Sequence, residues 1–394
     1  MSAIAGIAYC DVNRPDIRLL DVERLTTAMQ ARGPDGLSRW VGDYVGLGLG
    51  LLRSTPESVD ENAPVVSADG RYVLVWDGRL DNRTEIIEEI GAELNVRNQS
   101  DPELLMCAFL TWGEAIVQHL TGDFAFAIWD VQEQTLYCAR DQMGARPLYY
   151  VCTDSFFAFA SDDEALLLLE GVSAQPNEHR IAYALTSSFD DFDYSKSWTE
   201  SVNSLMPAHT LKVHRGNLSP PKRYWMPPER MLKLNSDAEY DDAFRSIFDE
   251  AVRCRMRCLI PPALMLSGGL DSAAIVASLV RLRGSGVEHR IATYSTIHDD
   301  VNSCIESQSI MQLVDAMSAE PNYLRVPSVT GALNFADLDA VAHLKPHPVD
   351  NSLLLPAMMY LGWWRGRNGA EARCSGGRDR PCGEQPTRHR LRPR

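Results

Sequence analysis

The stretch PPALMLSGGLDSAAIVASLV constrains the fold more than any other part of the chain. A short buried strand, Ala263 to Leu266, runs into Ser267-Gly268-Gly269-Leu270-Asp271-Ser272 and then directly into an apolar helix, Asp271 to Arg283. The loop between them reads as an anion cradle. Its glycines admit close backbone approach, Ser267 and Ser272 add hydroxyl donors, and the helix N-terminus aims unpaired N–H groups at the same spot. Asp271 would repel a bare phosphate, and makes sense where Mg2+ sits between the two. A Gly turn followed by a Ser/Asp helix cap is the plainer reading of any one of these residues. The whole hexapeptide behind an apolar strand is far more specific. No Gly-Lys-Ser/Thr follows, so the loop is not a Walker A motif.

Strand and helix keep alternating around this loop. Tyr240 to Met256 is an amphipathic helix, Arg290 to Thr296 a strand, Glu306 to Ser318 a helix and Tyr323 to Val326 a third strand. That alternation predicts an α/β parallel sheet. The first 215 residues differ: IAGIAYC, YVGLGLGLL, YVLVWDG, FAFAIWD, TLYCAR, PLYYVCT and FFAFAS are short apolar runs between Gly, Asp and Asn clusters. Two helices interrupt them, Asp21 to Ala31 and Asp101 to Trp112, the second with Ser100 as cap, Pro102 in its first turn and Glu103 as capping-box partner. TLYCARDQMGARPLYY reads as two strands around a Gly-containing turn. The expected architecture is an α+β layered sandwich over 1–215, a proline-rich linker over 216–237, and a parallel-sheet domain over 238–362.

Composition removes several classes of function. A formal net charge of −15 argues against a nucleic-acid surface, which needs clustered Lys and Arg. Nine cysteines are scattered without a CxxC pair, as expected of a reducing cytoplasm. The N-terminus lacks the pattern of a signal peptide, and no apolar run approaches the ~18 residues of a membrane span. Cys254 and Cys258 read as packing residues, because no His or third Cys lies near them in sequence to complete a metal site. Residues 365–394 hold nine Arg, no Lys and three acids, with Leu391 as the one large aliphatic side chain, so this tail cannot build an amphipathic element.

The loop matches the SGGxDS pyrophosphate loop of N-type ATP pyrophosphatases, and with it the chain resembles the asparagine synthetase family. The blocks that carry the likeness are IAGIAY, RGPDG (32–36), WDGRLDNRTEI (76–86), SDPELL (100–105), LTGDFAFAIWD (120–130), ARDQMGARPLYY (139–150), FASDDEALL (159–167) and LMPAH (205–209). It spans about residues 1–362. The resemblance implies an Ntn-hydrolase-like αββα glutaminase-type domain followed by part of a PP-loop ATP-pyrophosphatase domain. It implies that Leu266, Ser267, Gly268, Gly269, Asp271, Ser272 and Ile297 bind ATP, with Asp271, and Glu306 at the next helix start, as carboxylates for Mg2+. Plainer readings of Ile297 as a strand-end core residue and of Glu306 as a helix N-terminal acid stand beside these.

Two departures from the family pattern matter. The family's glutaminase nucleophile is a cysteine after the initiator Met, and here Ser2 stands in that place. An N-terminal Ser is a far weaker nucleophile at neutral pH. Arg53, Asp77, Gly78 and Asp101 fall where the family binds glutamine and read as structural remnants in an inactive domain. The second departure follows Gly362, where a Gly-rich, acid-ending loop gives way to WWRGRNGAEARCSGGRDRPCGEQPTRHRLRPR, which reads as GC-rich DNA translated out of frame; a natural basic tail is the alternative.

Loss of the N-terminal cysteine resembles family members that form amides without glutamine, such as lasso-peptide cyclases and β-lactam synthetases. This implies a ligase that adenylates a small-molecule or peptide carboxylate and releases PPi, with precursor-peptide-processing partners and a homodimer as expected company. Two alternatives stay open: asparagine synthetase acting on aspartate, and a truncated pseudoenzyme.

Overall fold

A computed structural model describes residues 2–10, 15–91, 100–186, 193–229, 231–282, 291–317 and 319–326. Met1–Val326 forms one compact unit. Residues 327–362 and the Arg-rich tail, with every reading placed on them, lie outside the described residues.

The chain opens with β1 (Ala3–Tyr9), α1 (Pro15–Ala28), β2 (Gly36–Val41), β3 (Val45–Leu51), β4 (Val65–Val66) and β5 (Tyr72–Leu80). Helices α2 (Arg83–Ile90) and α3 (Asp101–Trp112) precede β6 (Gly122–Asp130), β7 (Thr135–Arg140), β8 (Tyr149–Cys152) and β9 (Phe156–Ala160). Then come α4 (Asp163–Leu166), α5 (Glu178–Thr186), β10 (Asn203–Ser204), β11 (His209–His214), β12 (Asn217–Leu218) and β13 (Lys222–Arg223). Two antiparallel sheets result, one in the order β10-β8-β9-β1-β3-β2, the other β12-β11-β7-β6-β5-β4 with β13 on β11.

The apolar runs explain the layering. Strands covered on both faces need apolar residues on both. In β5, Val73 and Val75 point into the space between the sheets, while Leu74 and Trp76 pack outward under α2 and α3. In β9, Phe157 and Phe159 face inward, and Phe156, Ala158 and Ala160 face α1 and α4. Burying each large side chain of this kind contributes roughly 1.5–3 kcal/mol. The VGLGLGL pattern of β3 places Val45, Leu47 and Leu49 in the inner core and its glycines on the other face. A Cβ at Gly48 would lie 2.1 Å from Thr26 Cγ2, so glycine there lets α1 lie directly on the sheet. The result is the αββα sandwich the sequence predicts.

The second region comprises α6 (Asp237–Arg255), β14 (Ala263–Met265), α7 (Leu270–Leu282), β15 (Ala292–His298), α8 (Ile305–Met317) and β16 (Glu320–Val326). Its sheet, β14-β15-β16, is parallel throughout. Leu266, Val276, Leu279, Ile297, Ile310 and Val314 share its core.

Three expectations change. The two strands read around the Gly-containing turn form, but they do not pair with each other, because β7 and β8 belong to different sheets. Asp141, fully buried, accepts the backbone N–H groups of Phe124, Met143, Ala145 and Arg146 at 2.9–3.2 Å, which holds the chain as it crosses between layers. The strand before the loop is not buried: among the described residues β14 is an edge strand with Ala263 and Met265 exposed, and burial begins at Leu266. The proline-rich stretch starts with sheet rather than linker, since Asn217–Leu218 and Lys222–Arg223 pair with β11.

Candidate functional site

The loop 266–272 lies at the carboxyl end of β14 and the amino end of α7, where a parallel α/β sheet places ligands. Leu266 N–H donates to Tyr294 O at 2.9 Å, so the loop leaves the sheet in register with β15. Its own hydrogen bonds shape it. Ser272 Oγ lies 3.0 Å from Ser267 Oγ and donates toward Ser267 O and Gly269 O at 2.8 and 3.1 Å. Gly269 N–H donates to Ser267 Oγ at 3.3 Å, and Ala273 N–H to Gly269 O at 3.1 Å as the helix begins.

Glu306, in the first turn of α8, stands against this loop. A Cβ on Gly268 would lie 2.7 Å from Glu306 Cγ and 2.8 Å from its carbonyl oxygen. The absence of a side chain at 268 is thus what allows two helix N-terminal turns, of α7 and α8, to meet at one spot. Asp271 is exposed in the first turn of α7, and no hydrogen bond or ion pair engages its carboxylate among the described residues. Leu266 and Ile297 are 3% and 2% exposed, and their side chains pack in the core of the parallel sheet. Among the described residues no cluster of three or more His, Cys, Asp or Glu has the arrangement of a protein-only metal cage. One or two carboxylates beside a phosphate cradle suit Mg2+, which binds through few side chains plus substrate phosphates.

Most of the residues assigned to glutamine have partners within the protein, although Asp77 Oδ2 is buried without a hydrogen-bond partner among the described residues. Ser2 Oγ accepts Leu52 N–H at 3.0 Å. Arg53 directs its guanidinium to the carbonyls of Val59 and Asp35 at 3.0 and 3.2 Å. Asp77 is buried and lies 3.5 Å from Arg146. Burial raises its carboxyl above the usual range, against the pull of Arg146 and Arg32. Gly78 is pressed against β6, with Asp123 O at 2.5 Å from where a Cβ would stand. Asp101 accepts Leu80 N–H at 2.9 Å and is ion-paired to both Arg83 and Arg257.

Arg257 is a residue that sequence reading missed. It sits in CRMRC, read there as packing around two thiols. α6 ends at Arg255, so Cys258 falls beyond the helix. Cys254 Sγ lies 3.1 Å from Glu250 Oε1, and burial followed by that carboxylate pushes its thiol up to about 11. No local signal marks Arg257, because its partners Glu57, Leu80 and Asp101 are far away in sequence.

Comparison with known proteins follows the same division. The family model described as a glutamine amidotransferase domain matches residues 1–225, and that of asparagine synthase matches 243–347. Asparagine synthetase [glutamine-hydrolyzing] 3 of Bacillus subtilis is 29% identical over 267 residues, 65% of this chain and 42% of that protein. An amidase of Gibberella zeae, chry2, is 29% identical over 285 residues, covering 68% and 40%. A putative glutamine-hydrolyzing asparagine synthetase of Mycobacterium tuberculosis is 28% identical over 275 residues, covering 66% and 42%. The chain thus spans less than half the length of these relatives. A solved glutamine phosphoribosylpyrophosphate amidotransferase of B. subtilis covers 82% of this chain and 65% of its own at 13% identity and a TM-score of 0.37. With a glutamine amidotransferase domain over more than half its length and an asparagine synthase segment behind it, the chain belongs to the asparagine synthetase family.

Proposed function

We propose that this protein is a glutamine-independent, ATP-dependent amide-forming ligase whose nucleotide site is the loop 266–272. One observation carries the reading: the Ser-Gly-Gly loop, the N-terminus of α7, Asp271 and Glu306 converge at the carboxyl end of the parallel sheet.

The triphosphate lies along the loop, where Gly268 and Gly269 expose backbone and Ser267 and Ser272 supply hydroxyls. Asp271, with Glu306 as a second carboxylate, would hold Mg2+, which when bound would supply positive charge against the departing pyrophosphate. A substrate carboxylate oxygen attacks the α-phosphorus, the bond to the bridging oxygen of pyrophosphate breaks, and an acyl adenylate and PPi result. An amine then attacks the acyl carbon, AMP leaves with the bonding pair, and the amine proton passes to solvent. Holding both partners in place supplies much of the acceleration.

Ser2 in place of a thiol, and the protein partners of Ser2 Oγ, Arg53 Nε and Asp101, support independence from glutamine. An amine within the substrate itself, as in macrolactam or β-lactam formation, is then the nucleophile. The substrate is a peptide or amino-acid-like carboxylate.

The test is PPi release from the chain with Mg-ATP and panels of amino acids, β-amino acids and peptides bearing a free N-terminus and an internal Asp or Glu. Release triggered by such bifunctional substrates and indifferent to glutamine supports the reading. Release triggered by aspartate alone turns it into asparagine synthetase. Glutamine hydrolysis by the chain refutes the independence claim.

A further inference from the structure

Several contacts stitch the end of α6 and the segment before β14 to the N-terminal sandwich: Cys254 O accepts from Arg79 Nη2, Cys254 Sγ lies 3.6 Å from Asp81 O, and Arg255 pairs with Asp81 at 3.3 Å. Arg255 at the end of α6 forms a bidentate pair with Asp123, at 2.7 and 2.8 Å. Arg257 reaches Glu57 at 2.8 Å, the Leu80 carbonyl at 2.8 Å and Asp101 at 3.1 Å. Leu259 N–H donates to Ser54 O at 2.9 Å. The Arg257 stitch is the most buried: Asp101 is only 5% exposed and also pairs with Arg83.

The charge balance favours this docking. Around Asp101 the sandwich gathers Glu57, Glu103 and the partly titrating Glu61, with Arg53 and Arg83 as cations among the described residues, and Arg257 adds a further cation. A buried ion pair adds little net stability compared with apolar packing, yet removing one partner strands a buried charge; such pairs fix geometry more than they add stability.

The stitched segment leads in two directions, both to the nucleotide loop. Downstream it becomes β14, which ends at Met265 and runs into Leu266 and Ser267. Upstream it is α6, which Asp249 ties to Arg281 of α7 at 2.6 and 3.0 Å. α7 begins at the loop's other end.

We infer that Arg257 is a positioning residue: by anchoring in the Asp101–Glu57 cluster it sets the place of β14 and the Ser267–Ser272 loop against the N-terminal domain, so that the former glutaminase domain serves as a jig for the nucleotide site. The loop's role as that site rests on the function proposed above; the anchoring does not.

The test compares the full-length wild type with Arg257→Gln, Arg257→Lys and Asp123→Asn by amide hydrogen exchange and Mg-ATP binding. Arg257→Gln should accelerate exchange at Leu266, Gly269 and Ala273 at least tenfold, while Val75 and Ala127 in the sandwich keep wild-type rates. Its Mg-ATP affinity should fall at least tenfold. Arg257→Lys should fall between the two, and Asp123→Asn should show the same pattern more weakly. Unchanged loop rates in Arg257→Gln would overturn the inference, as would sandwich rates rising as much as loop rates in Arg257→Gln and Asp123→Asn. Loop rates that respond in a chain that binds no Mg-ATP would uphold the anchoring and refute the nucleotide reading. Unchanged loop rates and affinity in a chain that does bind Mg-ATP would do the reverse.

Discussion

Gly268 is the residue on which the candidate site turns. Glu306 backbone and side chain stand where its Cβ would be, so Gly268→Ala must push α8 from α7. We expect Mg-ATP affinity to drop by about tenfold or more, a change worth about 1.4 kcal/mol, by calorimetric titration. Equal affinity would show that the contact between loop and α8 does not matter to the ligand. A second residue gives a pH signature in the sandwich. Burial and the neighbouring Asp101 charge push the Glu61 carboxyl from 4.5 up to about 7, with Arg53 pulling the other way. Between those values the folded chain holds a proton that the unfolded chain has released. Stability therefore falls as pH rises through that window, and the penalty is complete above about 7. Glu61→Gln removes it. Urea melts should show a gain of up to about 3 kcal/mol at pH 8 and almost none at pH 4. A gain of the same size at both pH values would exclude titration of Glu61 as the cause.

Among the elements, the turn from β7 to β8 joins the layers, and Asp141 holds it with four accepted N–H groups. Asp141→Ala leaves buried donors without an acceptor and should cost about 3–5 kcal/mol in the unfolding of the sandwich. A loss under about 1 kcal/mol would mean that the turn holds by other contacts. This element also shows how far sequence reasoning reaches. β1, β3, β5, β6 and β9 are legible because strands buried on both faces are continuous apolar runs, and α3 begins where Pro102 sits in a first turn. That β7 and β8 part company is not legible, since the same letters serve a hairpin or a crossing, and Asp141 decides between them through partners in space. β4, β10, β12 and β13 have only two residues each, too short for any period to show. The place of the loop between β14 and α7 was legible to within a residue, because its glycines, hydroxyls and helix start all lie within one turn of chain. Arg257 was not, because an ion pair across more than a hundred residues leaves no trace in local pattern.

At the scale of the molecule, two regions that match two different family models share one compact unit. The sandwich keeps the architecture of a glutamine amidotransferase domain while Ser2, Arg53 and Asp101 are bonded within the protein. The parallel sheet brings Ser267–Ser272, Asp271 and Glu306 together. Its described helices include none long and apolar enough to cross a membrane. On this reading the loop binds Mg-ATP through Asp271. Equilibrium binding of ATP to the wild-type chain and to Asp271→Ala, each with Mg2+ and with EDTA, tests it most directly. Binding to the wild type should need Mg2+, and Asp271→Ala should weaken it at least about tenfold. Binding that is indifferent to both Mg2+ and Asp271, or no binding by a folded wild-type chain, would contradict it.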